Sequence, residues 1–215
     1  MTQHPFLAAG RAGKLSDAWL GLWLSQDRVY AAHAYPRCIG QLINKIPFSA
    51  QHALDSEEER MNARVLELLT FSLQNVVREV QFFKATARRF SIPIEGWDVR
   101  KGTREYTAEM ARVGANGSLF EGIVFLWAME KVYLDSWTFV AEGTKGQDSA
   151  VAVLANNWTC PEFRAFVDQL TDLVDDMWMN GTPSMIGDAR LVWERVVELE
   201  AAFWPDEHES AARAQ

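Results

Sequence analysis

Apolar residues recur along this chain at spacings of three and four, the period of a helix that turns one face to a core. From Ala18 to Ile46 the pattern runs almost unbroken, with Ser16-Asp17 placed to cap its start. Pro36 is expected to kink or interrupt that helix, and Pro47 with the Ser and Ala after it marks a loop. Asp55-Ser56-Glu57-Glu58-Glu59 sets negative charge where a helix N-terminus favours it and predicts a long helix over 57–90. The break follows at Ile92-Pro93-Ile94-Glu95-Gly96. Further helices are predicted over 103–113, 119–141, 161–179 and 188–204, with stops at Gly114, Gly143, Asn180-Gly181 and Pro205. No stretch alternates with the period of a strand. The expectation is an all-α bundle of six or seven helices. One domain is expected over 1–205, with a polar tail over 206–215 that frays.

Charge and composition narrow the class. The 215 residues hold 21 Lys and Arg against 29 Asp and Glu, a net charge of −8, with no basic run. That balance argues against nucleic acid or an anionic membrane as partner. No apolar run approaches the roughly 18–20 residues of a membrane span, and the opening Met1 to Phe6 lacks a secretory pattern. Cys38 and Cys160 stand in no CxxC spacing, which fits a reducing, cytoplasmic setting; both lie near helix breaks and read as small packing residues. GxSxG, HExxH, Walker A and GxGxxG signatures are absent, and the four His form no Glu-x-x-His pair, so neither a metal nor a cofactor is expected. Nine Trp are more than one core needs, which points some of them toward a pocket.

The chemistry-bearing candidates are carboxylates on apolar stripes. Leu20, Trp23, Leu24, Asp27 and Tyr30 share one helix face, and Asp27 is its single charge. Glu130 stands among Phe125, Leu126, Leu134 and Trp137, where a carboxyl must be paired, protonated or turned to a cavity. Glu200 shares a stripe with Trp193, Val197 and Trp204, and Glu79, between Val76 and Phe83, is a fourth and weaker candidate. Any one of them alone reads equally as structural, hydrogen-bonded to a neighbouring helix or bridged to a Lys or Arg. Three on separate helices, each beside Trp or Tyr, suggest a shared polar cavity.

The order of short motifs then resembles the TenA/THI-4 family: His4-Pro5-Phe6, Gly13-Lys14-Leu15, Trp23-Leu24-Ser25-Gln26-Asp27-Arg28-Val29-Tyr30, Thr103-Arg104-Glu105-Tyr106-Thr107, Leu126 to Tyr133, Pro161-Glu162-Phe163 and Glu200-Ala201-Ala202-Phe203-Trp204. The resemblance spans 4–204. It implies a haem-oxygenase-like fold, a homodimer or homotetramer, and a pocket for a substituted aminopyrimidine related to the thiamin precursor. By motif position Asp27 matches the residue that holds the pyrimidine ring nitrogen and exocyclic amine, and Glu200 matches the acid/base Glu. Tyr30, Tyr106 and Trp158 match aromatic pocket residues; Trp23 and Tyr133 join them as substrate-binding candidates. One departure matters: the central stretch Ala128-Met129-Glu130-Lys131-Val132-Tyr133 has no Cys, similar to the branch in which Glu replaces the nucleophilic Cys. That branch implies hydrolysis of aminomethyl- and formylaminomethyl-pyrimidines in salvage, with Glu130 and Glu200 as an acid/base pair and thiaminase turnover through a thiolate in doubt. The alternatives are a binding protein or an enzyme for another planar substrate on the same fold, a haem or metal oxygenase, and an interaction protein with an aromatic surface. Whether Asp27, Glu130 and Glu200 face one cavity separates them.

Overall fold

The structure is a computed structural model that describes residues 4–211, and among these all regular structure is helical. The elements are α1 (Pro5–Arg11), α2 (Asp17–Val29), a π turn (Tyr30–Ala34), α3 (Tyr35–Ile43), α4 (Glu57–Phe90), α5 (Lys101–Asn116), α6 (Leu119–Thr144), α7 (Ala150–Asn157), α8 (Pro161–Met179), α9 (Pro183–Phe203) and α10 (Glu207–Ser210). Local chemistry fixes most boundaries. Ser16 accepts from the Trp19 amide to open α2, and Ser56 accepts from the Glu59 amide to open α4. Ser118 and Glu121 close a reciprocal capping box on α6. Ser91, in the left-handed region at φ 55°, ends α4.

The helices over 57–90 and 161–179 fall as expected, and α5 and α6 run a few residues longer. The interruption expected at Pro36 takes the form of a π turn over Tyr30–Ala34, and Pro36 itself sits in the first turn of α3 directly after it. Three findings differ. Helix α9 begins at Pro183 because Thr182 caps it. Three short helices, α1, α7 and α10, were not expected. Within the segment read as a frayed tail, Asp206 and Glu209 cap α10, and Arg100 holds Glu209 through two bonds of 2.9 and 2.6 Å; residues 212–215 lie outside the described part.

Helix α6 is the central rod, packed by α9, α8, α1 and α7, while α3 bridges α4 and α5. Much of the Trp excess is core. Trp23 stacks on Trp204 and Trp137 on Trp158, with centroids 5.9 and 5.0 Å apart, and all four are buried. Of the stripe expected on α9, Glu200 and Trp204 are buried, but toward the N-terminal end the buried positions are Val192 and Val196, one before those expected, so Trp193 faces solvent at 43% exposure. Gly102 of α5 lies against the Ala202 carbonyl of α9, an approach that a Cβ would block. Among the described residues no helix is long and apolar enough to cross a membrane.

Candidate active site

A narrow cavity lies where α2, the π turn, α3, α4 and α6 meet the Trp158 side chain at the end of α7. Asp27, Glu79 and Glu130 reach it from three different helices, and Tyr30, Tyr35, Tyr133 and Trp158 supply most of its wall, with Asn75, Val76 and Met129 completing it. Some 380 Å³ is unfilled by protein atoms, but only about 20 Å³ admits the centre of a water molecule. That is room for a single water, so an aromatic ring enters only if side chains move.

Three carboxyl groups share one motif. Tyr133 donates to Asp27 Oδ1, Tyr35 to Glu130 Oε1 and Tyr106 to Glu200 Oε1, each at 2.6 Å. The fourth tyrosine of the chain, Tyr30, directs its hydroxyl at Met129 Sδ, 2.8 Å away, and packs edge-on to Tyr106 at 5.2 Å. The π turn explains how Tyr30 and Tyr35 come together. In a regular α-helix, residues five apart point about 140° apart. Here the Tyr35 amide bonds the Tyr30 carbonyl, absorbing the extra residue, and the two rings lie 6.1 Å apart.

Burial dominates the electrostatics. It raises the Asp27 carboxyl well above its usual range; the neighbouring Glu79 and Glu130 add to the rise and the Tyr133 hydroxyl opposes it. Burial likewise lifts Glu130 to about 8, with Tyr35 opposing, and Glu200 to about 8, with Tyr106 opposing. Glu79 rises only to about 7, because Asn157 donates to it at 2.8 Å and Arg78 adds positive charge nearby. Among the described residues none of these four groups forms an ion pair with Lys or Arg. Lys131, the neighbour that could have bridged Glu130, pairs outward with Asp135 at 2.6 Å. These carboxyl groups are thus held toward their neutral forms near neutral pH. Among the described residues no group of three or more His, Cys, Asp or Glu is placed to hold a metal ion.

Of the residues anticipated from sequence, Asp27, Tyr30, Glu130, Tyr133 and Trp158 line this one cavity. Glu200 and Tyr106 do not. They sit behind Tyr30, close enough for Glu200 to feel Asp27 and Glu130, and Glu200 Oε2 is buried without a hydrogen-bond partner. Trp23 is one ring away from the wall, edge-on to Trp158 at 5.8 Å within the core. Tyr35, Asn75 and Met129, which the apolar stripes do not mark out, and Glu79, the weaker candidate, also line the cavity. The Val76, Glu79, Val80, Phe83 spacing on α4 carried a signal for Glu79; an α-helical phase hid Tyr35.

Fold and cavity together define an all-α protein of haem-oxygenase-like architecture with a buried, acidic, aromatic-walled site. The chain belongs to the TENA/THI-4/PQQC family, whose sequence model matches residues 1–210. A TenA homologue from Pyrococcus furiosus superposes with a TM-score of 0.82 at 21% identity, covering 98% of this chain and 92% of that one. A putative TenA-like thiaminase from Sulfolobus solfataricus gives 0.70 at 14% identity over 99% and 88%. A domain of unknown function with a heme oxygenase-like fold from Shewanella denitrificans gives 0.58 at 11% identity over 100% and 86%. A curated relative from Fusarium pseudograminearum (strain CS3096), named a probable transcription factor, is 25% identical over 94% of this chain. The chain spans about half the length of that relative, 47%.

Proposed function

We propose that this protein hydrolyses aminopyrimidines in salvage of the thiamin pyrimidine, acting on aminomethyl-pyrimidine, formylaminomethyl-pyrimidine or both. The observation that carries the reading is the meeting of Asp27 and Glu130 in one cavity walled by Tyr and Trp, with no Lys or Arg among the described residues paired to either. An aminopyrimidine edge presents an N–H donor beside a ring-nitrogen acceptor. A carboxyl that keeps its proton matches both, donating through O–H and accepting through the other oxygen. Asp27, with Oδ1 already anchored by Tyr133, is held in one orientation for that contact. Tyr30 and Trp158 supply faces and edges for the planar ring.

Glu130, its proton retained to about pH 8 by burial, is the acid toward the leaving nitrogen, and water is the nucleophile. Glu200, off the cavity wall behind Tyr30, takes its acid/base part through the phenols of Tyr106 and Tyr30 and not by touching the scissile bond. Cys38 is a poor alternative nucleophile: burial pushes its thiol up to about 12. Family membership and the name of the Sulfolobus neighbour, a putative TenA-like thiaminase, support a thiamin-related role in the coarser sense. A homodimer or homotetramer in the cytoplasm belongs to this reading.

The test is to incubate the purified protein with each pyrimidine and assay ammonia and formate. Release of either product, lost in Asp27→Asn, supports the reading. A folded protein that turns over neither compound sinks it.

A further inference from the structure

Hydrolysis of an amide or amine calls for two proton carriers at the scissile bond, a base toward water and an acid toward the nitrogen. Glu200 is screened from the cavity by the Tyr30 and Tyr106 rings. Beyond Asp27, the carboxyl groups on the cavity wall among the described residues are Glu130 of α6 and Glu79 of α4. Both keep partial exposure while Asp27 is buried, so the two glutamates stand nearer the solvent side and Asp27 lies deeper. A ring anchored on Asp27 would have Glu79 and Glu130 as its carboxyl neighbours on the same wall.

Glu79 is also oriented by a chain of polar contacts that no packing argument requires. Arg78 donates to Asn157 Oδ1 at 3.0 Å and to Asn75 Oδ1 at 2.9 Å. With its oxygen so occupied, Asn157 must present its amide N–H groups to Glu79, and it donates at 2.8 Å. The relay ties α4 to the end of α7.

We infer that Glu79 is a further catalytic carboxylate of this cavity, taking the proton of the attacking water while Glu130 gives its own to the departing nitrogen; this rests on the hydrolase reading above. For the formylated substrate the balance is complete. Water oxygen bonds the formyl carbon as Glu79 takes one proton, the C–N bond breaks as Glu130 protonates nitrogen, and formic acid and the amine form. The acid returns its proton to Glu130, and Glu79 passes its own to the amine, which leaves as an ammonium ion. The division of labour follows from the neighbours. Asp27 of α2 and Glu130 of α6 face Glu79 with their carboxyls, Tyr35 and Tyr133 with neutral phenols, and Asn157 and Trp158 with donors; Arg78 is the nearby cation. The donors and Arg78 keep Glu79 the more acidic of the pair, about 7 against about 8.

The experiment is steady-state hydrolysis of formylaminomethyl-pyrimidine across pH by wild type, Glu79→Gln and Asn157→Leu, with thermal melts of each. Gln can accept from Asn157 as Glu does, so the fold is expected to hold. In Glu79→Gln, kcat should fall roughly 100-fold or more with KM within a few-fold, and the acid limb of the kcat profile should vanish. In Asn157→Leu that limb should move to higher pH, since a donor to the carboxylate is gone. A Glu79→Gln enzyme within about threefold of wild type, or an acid limb unmoved in both variants, overturns the role of Glu79 and leaves the hydrolase reading standing. A wild type that releases neither formate nor ammonia from either pyrimidine removes both.

Discussion

At the scale of single residues the site is a set of phenol–carboxyl pairs. Each phenol orients one oxygen of its carboxyl partner. Tyr133→Phe removes the donor to Asp27 Oδ1. A hydrogen bond to a group that can carry charge contributes about 1.5–3 kcal/mol, so calorimetry should show aminopyrimidine binding weakened tenfold to a hundredfold; unchanged affinity would remove Asp27 from the ring contact. Asp27 was legible in the sequence because it is the one charge on a complete apolar stripe, and every residue of that stripe is buried. Glu79 was harder to see. Helix α4 is mostly polar outside a narrow seam, and a Glu beside Arg78 reads by default as solvated. Tyr35 was invisible for a geometric reason, five positions beyond Tyr30 on a helix assumed to be regular.

At the scale of elements, two backbone features set the site's dimensions. The π turn takes up one residue between α2 and α3. Deleting Ala32 should let the segment relax to α geometry with Tyr35 four places after Tyr30, still on the same face. Thermal melts should therefore find the Ala32 deletion much better tolerated than a deletion of Gly40, which turns the fully buried Leu42 out of the core. Equal losses would refute the register argument. The second feature is the contact of Gly102 with the Ala202 carbonyl, about one turn from Tyr106 on α5 and two residues from Glu200 on α9. Gly102→Ala should force α5 away from α9, lowering stability by about 1–3 kcal/mol in urea titration, as overpacking does. The helix over 57–90 could be read directly from its acidic start and Pro-marked end. The phase of α9 toward its N-terminal end could not, because Trp193 and Val197 mimic an apolar stripe one position from the real one.

At the scale of the molecule the protonated site couples folding to pH. Glu79, Glu130 and Glu200 have folded-state values of about 7, 8 and 8, above the 4.5 of a free Glu. The folded protein thus holds more protons than the unfolded chain between those values, and stability falls as pH rises. Their stabilising effect is complete below about 4.5 and is lost progressively through pH 7 and 8. Melting temperature should decline from about pH 5 to 8, and Glu130→Gln, neutral throughout, should flatten part of that decline. A wild-type curve rising over this window would contradict the buried, unpaired state of these groups.

The four tyrosines of this chain have a use that has nothing to do with turnover. All are buried, all surround the same few carboxyl groups, and burial holds every phenol well above 10. With no tyrosine elsewhere to add background, the tyrosinate absorption band is an optical gauge of this one region. In an alkaline titration it should stay dark through the range where free phenols ionise, then appear for all four together when the helices part. Ionisation of one phenol ahead of the rest would mark the side from which the cavity first opens.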